Sequence, residues 1–342
     1  MKKISIKGIN IKKRIISLVS LVVLVLASFT GCGASSKDTT ADKGGKKLFP
    51  IRVATQTGFN EFDVATALGY FKEEGIEIKY TGVLQAGTSE VQTVVAGSND
   101  VFTGHPSTVA KAVLAGAKIK IVSPGMVDNA NFVHMDYMVR KDGPIQSAED
   151  LKKRKVKVAV AGTGSCSDLI ALEWAKKNGI PEENLEFVLM PEAQQEQAVT
   201  QGLVDIANLH PVSYKKAHAD GKLKTLFTSW EVVGSPAAGS SIRGFSDKFI
   251  KEHPDVVRGF IRALYKAHVY INSHQKESID IVAKALDKDP STLATFWYDE
   301  NKKVQDSYVQ TWLDLMKAHG QLKSTDSIKA SDIYTNEYND IK

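Results

Sequence analysis

Cysteine is scarce in this sequence. Its 342 residues include two cysteines, Cys32 and Cys166, and two cysteines cannot build the disulfide framework that stabilises small secreted folds. The core must therefore come from hydrophobic burial. With 43% hydrophobic and 24% charged residues, the composition is that of a globular protein and excludes a disordered, collagenous or coiled-coil chain. At roughly 150 residues per domain, the length predicts about two domains.

A surplus of basic charge is missing from most of the chain. The whole sequence holds 44 Lys and Arg against 39 Asp and Glu, a formal net charge of +5. Residues 1–31 contain six of these bases and no acid, so the remaining residues carry 38 bases and 39 acids. This balance excludes nucleic-acid binding through bulk charge. It also predicts that an anionic ligand would be held mainly by helix N-termini, hydroxyl groups and histidines.

The apolar run near the N-terminus is short. It covers residues 15–29, whereas a membrane-spanning helix needs about 20 residues. A basic segment precedes the run and the small residues Thr30 and Gly31 follow it, which is the order of parts in a secretory signal peptide. The stretch Phe29-Thr30-Gly31-Cys32 resembles the cleavage box of a bacterial lipoprotein, whose cysteine becomes the lipid-modified first residue.

These features predict a lipoprotein signal peptide over 1–31, lipid attachment at Cys32 and a flexible tether over 32–47. Residues 33–47 contain no apolar residue larger than alanine, so they cannot pack into a core. The folded part would begin near Leu48, on the extracytoplasmic face of the bacterial cell membrane, with lipid holding it there. A plain signal anchor is the alternative.

The chain contains an internal repeat with an offset of 105 residues. Within the 23 residues 94–116, eight are identical to the residue 105 positions later, where about one or two matches are expected from average usage. The pairs are Val94/Val199, Gly97/Gly202, Asp100/Asp205, His105/His210, Pro106/Pro211, Lys111/Lys216, Ala112/Ala217 and Gly116/Gly221. Upstream, Arg-Val-Ala-Thr at 52–55 faces Lys-Val-Ala-Val at 157–160. The repeat predicts two successive α/β units of the same layout.

Each copy alternates strands and helices, so we predict two mainly parallel sheets and hence two lobes. Ligands of open α/β sheets lie outside the carboxyl ends of the strands. If the lobes face each other, the segments at these ends line one cleft. These segments are 56–60, 86–90 and 104–107 in lobe one, and 162–167, 191–194 and 209–213 in lobe two.

Beyond Gly234 the pattern changes to helices. Pro254 opens one helix, and further helical stretches are predicted over 279–286, 291–298 and 304–319. We expect these helices to pack around lobe one and to brace the hinge.

Three motifs resemble those of a known family. They are GYFKEEGIEI at 69–78, SAEDLK at 147–152 and QGLVD at 201–205. Together they resemble the solute-binding proteins of ABC importers, and most nearly the branch for aliphatic sulfonates, taurine and nitrate, which is related to the binders of thiamine-type pyrimidine precursors. The resemblance covers nearly all of the chain from Leu48 onward.

The resemblance implies an α/β, two-lobed periplasmic-binding-protein-like fold of the class II type, with a ligand cleft between the lobes and a helical C-terminal region. Lobe one would comprise 48–138 and 235–342, and lobe two 139–234, with crossovers near 138–141 and 229–234. The protein would be a monomer that captures a small anionic or zwitterionic organic solute. It would deliver this solute to an ABC permease and its ATPase subunit, without catalysis, cofactor or metal.

One departure from the family leaves the solute open. Sulfonate binders often carry a Trp near a Pro where this chain has Leu209-His210-Pro211. A taurine-like sulfonate, nitrate and a pyrimidine precursor of thiamine all stay as alternatives.

A glycine- and serine-rich loop follows a predicted strand in lobe two. Its backbone N–H groups, at Gly164 and Cys166 among others, and the hydroxyls of Thr163, Ser165 and Ser167 can surround the oxygens of an anion at a helix start. The alternative is that these groups only cap their own helix.

Two enzyme alternatives concern the same loop. It superficially resembles a dinucleotide fingerprint, in which Ser167 replaces the third glycine and Glu192 would bind a ribose, although an exported protein would find little such cofactor. Cys166, at a helix N-terminus, would be a nucleophile if its pKa were lowered. No order of His and Asp marks a catalytic triad, so we predict a binding protein.

Lobe one offers hydroxyls and an acid. Thr88 and Ser89 present the same choice between anion binding and helix capping. Glu90 begins a helix, where the dipole alone favours an acid. Its carboxylate would also pair with the amine of taurine or of an aminopyrimidine, and would disfavour nitrate.

Two histidines occupy equivalent places at helix starts. His105 and His210 would lie on opposite walls of the cleft, where the positive end of a helix favours the neutral imidazole. Local capping is the alternative, and metal binding by these two with His134 lacks a spacing signature. The predicted ligand-binding residues are Gln56, Phe59, Asn60, Thr88, Ser89, Glu90, His105, Thr163, Gly164, Ser165, Cys166, Ser167, Glu192 and His210.

Overall fold

The structure is a computed structural model that describes residues 47–84, 89–323 and 325–342. These residues belong to one compact unit. Three of the predictions lie outside the described residues, namely the signal peptide with lipid attachment at Cys32, the flexible tether up to residue 46, and the part of Thr88 in ligand binding.

The described part of the chain alternates strands and helices. The strands are β1 (Phe49–Val53), β2 (Ile76–Tyr80), β3 (Val101–Gly104), β4 (Ile119–Pro124), β5 (Met126–Val127), β6 (Asp136–Arg140), β7 (Val156–Val160), β8 (Leu185–Leu189), β9 (Ile206–Leu209), β10 (Leu223–Thr228), β11 (Ile242–Ser246) and β12 (Trp297–Tyr298). The helices are α1 (Glu61–Ala67), α2 (Tyr70–Glu73), α3 (Glu90–Val95), α4 (Pro106–Leu114), α5 (Cys166–Lys177), α6 (Glu192–Thr200), α7 (Pro211–Asp220), α8 (Ser229–Val233), α9 (Asp247–Glu252), α10 (Pro254–Ser273), α11 (Gln275–Leu286), α12 (Asp306–Ala318) and α13 (Ala330–Ile333).

Two sets of strands form the two lobes. In lobe one, β1 and β2 run parallel, and β11 pairs antiparallel with β3 and with β4. A backbone hydrogen bond of 2.9 Å from Asp100 N to Arg52 O joins β1 to the start of β3. In lobe two, the strand order is β10-β6-β9-β7-β8. β7 runs parallel to β9 and β8, and β6 runs antiparallel to β10 and β9. The predicted two-lobed α/β fold is confirmed. The prediction of mainly parallel sheets is wrong, because β11 runs antiparallel between β3 and β4 in lobe one and β6 runs antiparallel to both of its neighbours in lobe two.

The two copies of the repeat fold alike. Asp100 and Asp205 each accept a hydrogen bond of 2.8 Å from the backbone N–H of the residue 48 positions earlier, Arg52 and Lys157 respectively. Helices α4 and α7 both begin at the proline that follows an equivalent histidine, because proline has no N–H for the first helical turn to leave unpaired. The repeat in the sequence is therefore also a repeat in the structure.

The chain crosses between the lobes twice. The first crossing is 128–135, between β5 and β6, and the return crossing is 229–241, between β10 and β11. The predicted crossover at 138–141 falls on β6 instead, where Met138 is fully buried in the lobe-two core. Because β6 is hydrogen-bonded to β10 on one side and β9 on the other, it cannot act as a hinge. We therefore propose a lobe boundary near residue 135 in place of 138.

Two long helices of the C-terminal region pack on the lobes. α10 buries Val257, Phe260, Ile261 and Leu264 in the lobe-one core, at the spacing that places residues on one helix face. α12 buries Trp312 completely, in a hydrophobic cluster that includes residues of both lobes. These contacts agree with the expectation that the helices surround lobe one and brace the hinge.

The predicted helix over 291–298 is wrong. A 3-10 turn covers Pro290–Thr292, and the chain then forms β12, which pairs antiparallel with β5. The side chain of Asn272 accepts a hydrogen bond of 2.9 Å from Tyr298 N and donates one of 2.8 Å to Tyr298 O. These backbone groups are therefore satisfied without a helix.

Candidate functional site

The candidate site is a cleft between the carboxyl ends of the strands of the two lobes. The six predicted segments follow β1, β2 and β3 in lobe one and β7, β8 and β9 in lobe two, where ligands of α/β sheets bind. Lys111 of α4 donates a hydrogen bond from Nζ to the carbonyl oxygen of Gly164 in lobe two. The rings of His134, on the first crossing, and His210, in lobe two, lie edge to face with centroids 4.7 Å apart. We call this region the interlobe cleft.

The glycine- and serine-rich loop before α5 is hydrogen-bonded to its own helix. The carboxylate of Asp168 accepts hydrogen bonds from the N–H groups of Gly164 and Ser165, the latter at 2.7 Å. Ser165 Oγ lies 3.1 Å from Ser167 Oγ. Asp168 thus occupies two N–H groups that were predicted to hold an anion, as in the capping alternative. Thr163 is exposed, and a ligand contact of its hydroxyl stays a prediction.

Cys166 does not have the properties of an activated nucleophile. Burial, together with the nearby carboxylate of Asp168, raises the pKa of its thiol to about 12, whereas a reactive cysteine needs a lowered pKa. The backbone N–H groups at the start of α5 lower the pKa of this thiol, but their effect is smaller than that of burial. Ser167, in the place of the third fingerprint glycine, is buried, and its carbonyl oxygen accepts a hydrogen bond from Tyr137 Oη at 2.5 Å.

Glu90 and Gln56 lie together at the cleft edge of lobe one. Gln56 Nε2 donates to Glu90 Oε1 at 2.8 Å, and Thr103 N donates to Glu90 Oε2 at 2.7 Å. Both donors are uncharged, so they stabilise the carboxylate of Glu90 without neutralising it. Of the predicted lobe-one residues, these two are brought together by the fold.

Three other predicted residues of lobe one have structural roles. Phe59, only 8% exposed, packs in the lobe-one core. Asn60 caps α1 by accepting a hydrogen bond of 2.9 Å from Asp63 N. Ser89 caps α3 by accepting one of 3.3 Å from Gln92 N. These contacts give each of the three residues a structural role that requires no ligand.

His210 and Glu192 form a hydrogen-bonded pair at the lobe-two side of the cleft. Nδ1 of His210 lies 2.7 Å from Glu192 Oε2, and the backbone N–H of His210 donates to Glu192 Oε1 at 2.9 Å. Burial by itself would raise the pKa of Glu192, but the charge and the hydrogen bonds of His210 lower it to about 2. Burial opposes the charge of His210 too, yet Glu192 raises its pKa overall. Glu192 is therefore engaged by a protein side chain and not free to bind a ribose.

Two further histidines bring unpaired ring nitrogens to the cleft. Nε2 of His105 and Nδ1 of His134 are buried without a hydrogen-bond partner among the described residues. Burial lowers the pKa of His105 to about 3, and burial with the neighbouring His210 and His105 lowers that of His134. In the part of the chain that the structure describes, no group of three or more His, Cys, Asp or Glu side chains could hold a metal ion.

Sequence reasoning missed three polar residues, two near the carboxyl ends of β3 and β9 and one on α4. Thr103 and Asn208 are equivalent in the repeat, and each is the next-to-last residue of its strand. Thr103 Oγ1 and both polar side-chain atoms of Asn208 are buried without a partner among the described residues, although buried polar groups are nearly always paired. The sequence carried one signal for Thr103 and Asn208, since each lies two residues before a histidine that is matched in the repeat. Lys111 was matched in the repeat but not predicted to be in the site.

Comparison with known proteins agrees with this geometry. The model of the family described as NMT1/THI5 like matches residues 56–278. The chain belongs to this family. A protein of Bacillus subtilis (strain 168), whose name assigns it provisionally to the binding of aliphatic sulfonates, is 23% identical to this NMT1/THI5-like protein over 343 residues, which cover 96% of each chain.

Solved structures share the fold of this NMT1/THI5-like protein. The periplasmic aliphatic sulphonate binding protein SsuA from Escherichia coli is 18% identical with a TM-score of 0.65, over 83% of this chain and 91% of that chain. The periplasmic nitrate-binding protein NrtA from Synechocystis PCC 6803 is 14% identical with a TM-score of 0.66, over 85% of this chain and 87% of that chain. The predicted family resemblance and fold are confirmed. Among the described residues, no helix of this family member is both long and apolar enough to cross a membrane.

Proposed function

We propose that this protein is an extracytoplasmic substrate-binding lipoprotein of an ABC importer. It captures a small anionic or zwitterionic organic solute by closing its two lobes, and it delivers the solute to a membrane permease that works with an ATPase subunit. Family membership, the two-lobed fold and the name of the Bacillus relative support this role. Lipid on Cys32 would hold the protein, as a monomer, at the membrane.

The observation that carries this proposal is a set of buried, unpaired polar atoms at or just after the carboxyl ends of β3 and β9 and on the first crossing. They are Thr103 Oγ1, His105 Nε2, His134 Nδ1 and both polar side-chain atoms of Asn208, none of which has a hydrogen-bond partner among the described residues. They come from lobe one, from the first crossing and from lobe two. A solute that satisfied these atoms would contact both lobes, and such contacts are what select the closed state of a hinged protein.

The charge of Glu90 favours a solute with a cationic group. Its equivalent in lobe two is Gln195, whose Oε1 accepts a hydrogen bond of 2.8 Å from Asn208 N, just as Glu90 Oε2 accepts one of 2.7 Å from Thr103 N. A neutral glutamine therefore performs the same structural task. The negative charge is the property that distinguishes Glu90, and the role that we propose for it is the attraction of a cationic group of the solute.

A taurine-like aminosulfonate fits this charge better than nitrate does. The carboxylate of Glu90 attracts an ammonium group and repels a simple anion. The sulfonate oxygens would accept hydrogen bonds from the amide of Asn208 and the hydroxyl of Thr103, both of which lack a partner among the described residues. We therefore propose an aminosulfonate ahead of nitrate, and an aminopyrimidine precursor of thiamine as the alternative with a basic group.

The first prediction concerns ligand preference. We expect taurine to raise the melting temperature more than ethanesulfonate, which lacks the amine, and more than nitrate. Glu90→Gln should weaken taurine binding about tenfold, the effect of one hydrogen bond to a charged group, and should strengthen ethanesulfonate binding, because the repulsion between the carboxylate and the anion is removed. Thermal shift with taurine, ethanesulfonate, nitrate and an aminopyrimidine measures the first effect, and isothermal titration calorimetry the second.

Glu77→Gln is the matched control for this experiment. Glu77 is a half-exposed carboxylate of β2 that pairs with Lys79 at 2.5 Å, so its loss changes the net charge equally without altering the cleft. Stabilisation by none of the four probes would refute the ligand class. An equal loss of taurine and ethanesulfonate binding in Glu90→Gln would refute the role given to the charge.

An exported enzyme is the alternative function. The raised pKa of Cys166, about 12, argues against a thiolate nucleophile, and the pairing of Glu192 with His210 argues against a nucleotide site. A binding protein returns each probe chemically unchanged. Product formation that disappears in Cys166→Ser would favour the enzyme.

A further inference from the structure

Lys111 and Lys216 are equivalent residues of the repeat, but their surroundings differ. Lys216 Nζ lies 2.8 Å from Glu196 Oε2 and 2.8 Å from Asp220 Oδ2. Hydrogen bonds to these two carboxylates raise the pKa of Lys216. In lobe two, this lysine is therefore held on the surface of its own lobe.

Lobe one has no carboxylate at the positions equivalent to these two residues. At the repeat offset of 105, the places of Glu196 and Asp220 are taken by Val91 and Ala115. Neither side chain can pair with a cation. Lys111 is therefore released from the two local partners that hold its equivalent in lobe two.

Lys111 instead reaches across the interlobe cleft. Its Nζ donates a hydrogen bond to the carbonyl oxygen of Gly164. Burial lowers the pKa of Lys111, against the opposing effect of Asp168, which agrees with an ammonium group partly removed from water between the lobes.

The residue that receives this bond is suited to it. Gly164 has a φ of +67°, which side chains other than glycine rarely adopt. The one atom that a Cβ at this position would meet at close range is Lys111 Nζ, the end of a flexible side chain that can shift. The backbone conformation therefore favours glycine at residue 164, and the ammonium group of Lys111 lies directly against this glycine.

We propose that Lys111 is the positioning residue that fastens lobe two to lobe one when the cleft closes. Its ammonium group binds the carbonyl of Gly164 because Val91 and Ala115 offer it no charge in lobe one. The bond holds the loop before α5 against α4. This proposal rests on the proposed function, since closure of the lobes has a use only if the cleft binds a solute. Lys111 itself acts on the solute indirectly, through the loop before α5.

Two variants test the proposal by different routes. Lys111→Met removes the cation, and we expect bound taurine to dissociate about tenfold faster, as for the loss of one charge-assisted hydrogen bond. Ala115→Asp keeps the lysine but supplies, at an exposed position four residues later, the acid that Asp220 supplies to Lys216. Such a helical pair is weak, so we expect dissociation to be about twofold faster. Stopped-flow tryptophan fluorescence measures both rates.

Lys216→Met is the matched control, because it removes the equivalent lysine outside the cleft. We expect its dissociation rate to equal that of the wild type, and association rates to be unchanged in all variants. Lys111→Met behaving like Lys216→Met would overturn the proposal. So would an Ala115→Asp variant that dissociates at the wild-type rate.

A second measurement separates this proposal from the proposed function. If taurine, ethanesulfonate, nitrate and the aminopyrimidine all fail to bind the wild type, the proposed ligand class is wrong. Small-angle X-ray scattering of the ligand-free proteins then decides the role of Lys111. A larger radius of gyration in Lys111→Met than in the wild type and Lys216→Met would support it, and equal radii would overturn it.

Discussion

At the scale of single residues, two equivalent histidines have pKa values shifted in opposite directions because their neighbours differ. His105 has Ser107 Oγ 3.2 Å from its Nδ1, and burial lowers its pKa to about 3. His210 has the carboxylate of Glu192 at 2.7 Å, and its pKa is raised. The prediction of two neutral histidines beside helix starts is thus supported for His105, whereas His210 departs from it. The partner of His210 is the first residue of another helix, α6, 18 positions earlier in the sequence, so no local pattern marks it.

The pair of Glu192 and His210 predicts how stability depends on pH. The pKa of Glu192 falls from its ordinary value of 4.5 to about 2 in the folded protein. A lowered folded pKa means that the stabilisation is present above pH 4.5 and is lost as the pH falls toward 2. We expect Glu192→Gln to remove this part of the pH dependence of the unfolding free energy, and to lower the pKa of His210. Urea unfolding at stepped pH and NMR titration of the imidazoles measure the two effects.

The titration of His105 is the internal control for this variant, because its own pKa depends on burial. A His210 pKa that is the same in Glu192→Gln and in the wild type would contradict the pairing.

At the scale of elements, one carboxylate ties the two crossings of the chain together. Asp128, on the first crossing, accepts a hydrogen bond of 2.5 Å from Ser229 Oγ, on the return crossing, and one of 2.6 Å from His134 N. Ser229 is also the first residue of α8. Burial raises the pKa of Asp128 to about 7, although these hydrogen bonds lower it. The hinge therefore contains a carboxyl group that titrates near neutral pH.

Because the pKa of Asp128 is raised and that of Glu192 is lowered, the two groups change the unfolding free energy in opposite directions as the pH rises. The folded protein favours the protonated carboxyl, so the unfolding free energy is highest below the ordinary pKa of 3.8, falls as the pH rises to about 7, and is constant above it. Asp128→Asn keeps an oxygen acceptor but cannot ionise. We expect it to flatten this part of the profile, by up to about 4 kcal/mol, in urea unfolding at stepped pH.

Ser229→Ala is the companion variant for this prediction. It removes one hydrogen bond that lowers the pKa of Asp128 and leaves the ionisable group in place, so the fall in stability between pH 3.8 and 7 should become larger. Identical profiles for Asp128→Asn and the wild type would show that Asp128 does not titrate in this range.

At the scale of the whole molecule, local patterns predicted the lobes but not the contacts between them. Asp100 and Asp205 bond to strands of their own copy, so the repeat was enough to predict two similar units. The bond from Lys111 to Gly164 joins residues far apart in the sequence, and its cause is the absence of acids at neighbouring helix positions. The first crossing that we propose also lies a few residues before the predicted one, because a buried strand such as β6 carries no local mark of the lobe to which it belongs.

The proposed attachment of the whole molecule to the membrane would depend on Cys32, which lies outside the described residues. One acyl chain anchors a protein only marginally, at about 0.8 kcal/mol per buried methylene, so stable attachment needs two or more chains on this cysteine. We expect the protein made in bacteria fed an alkyne-tagged fatty acid to carry the label and to lack residues 1–31. Cys32→Ser should lose the label, while Cys166→Ser, which removes the other cysteine of the sequence, should keep it. Intact-mass measurement of an unlabelled wild type that retains residues 1–31 would instead establish the signal-anchor alternative.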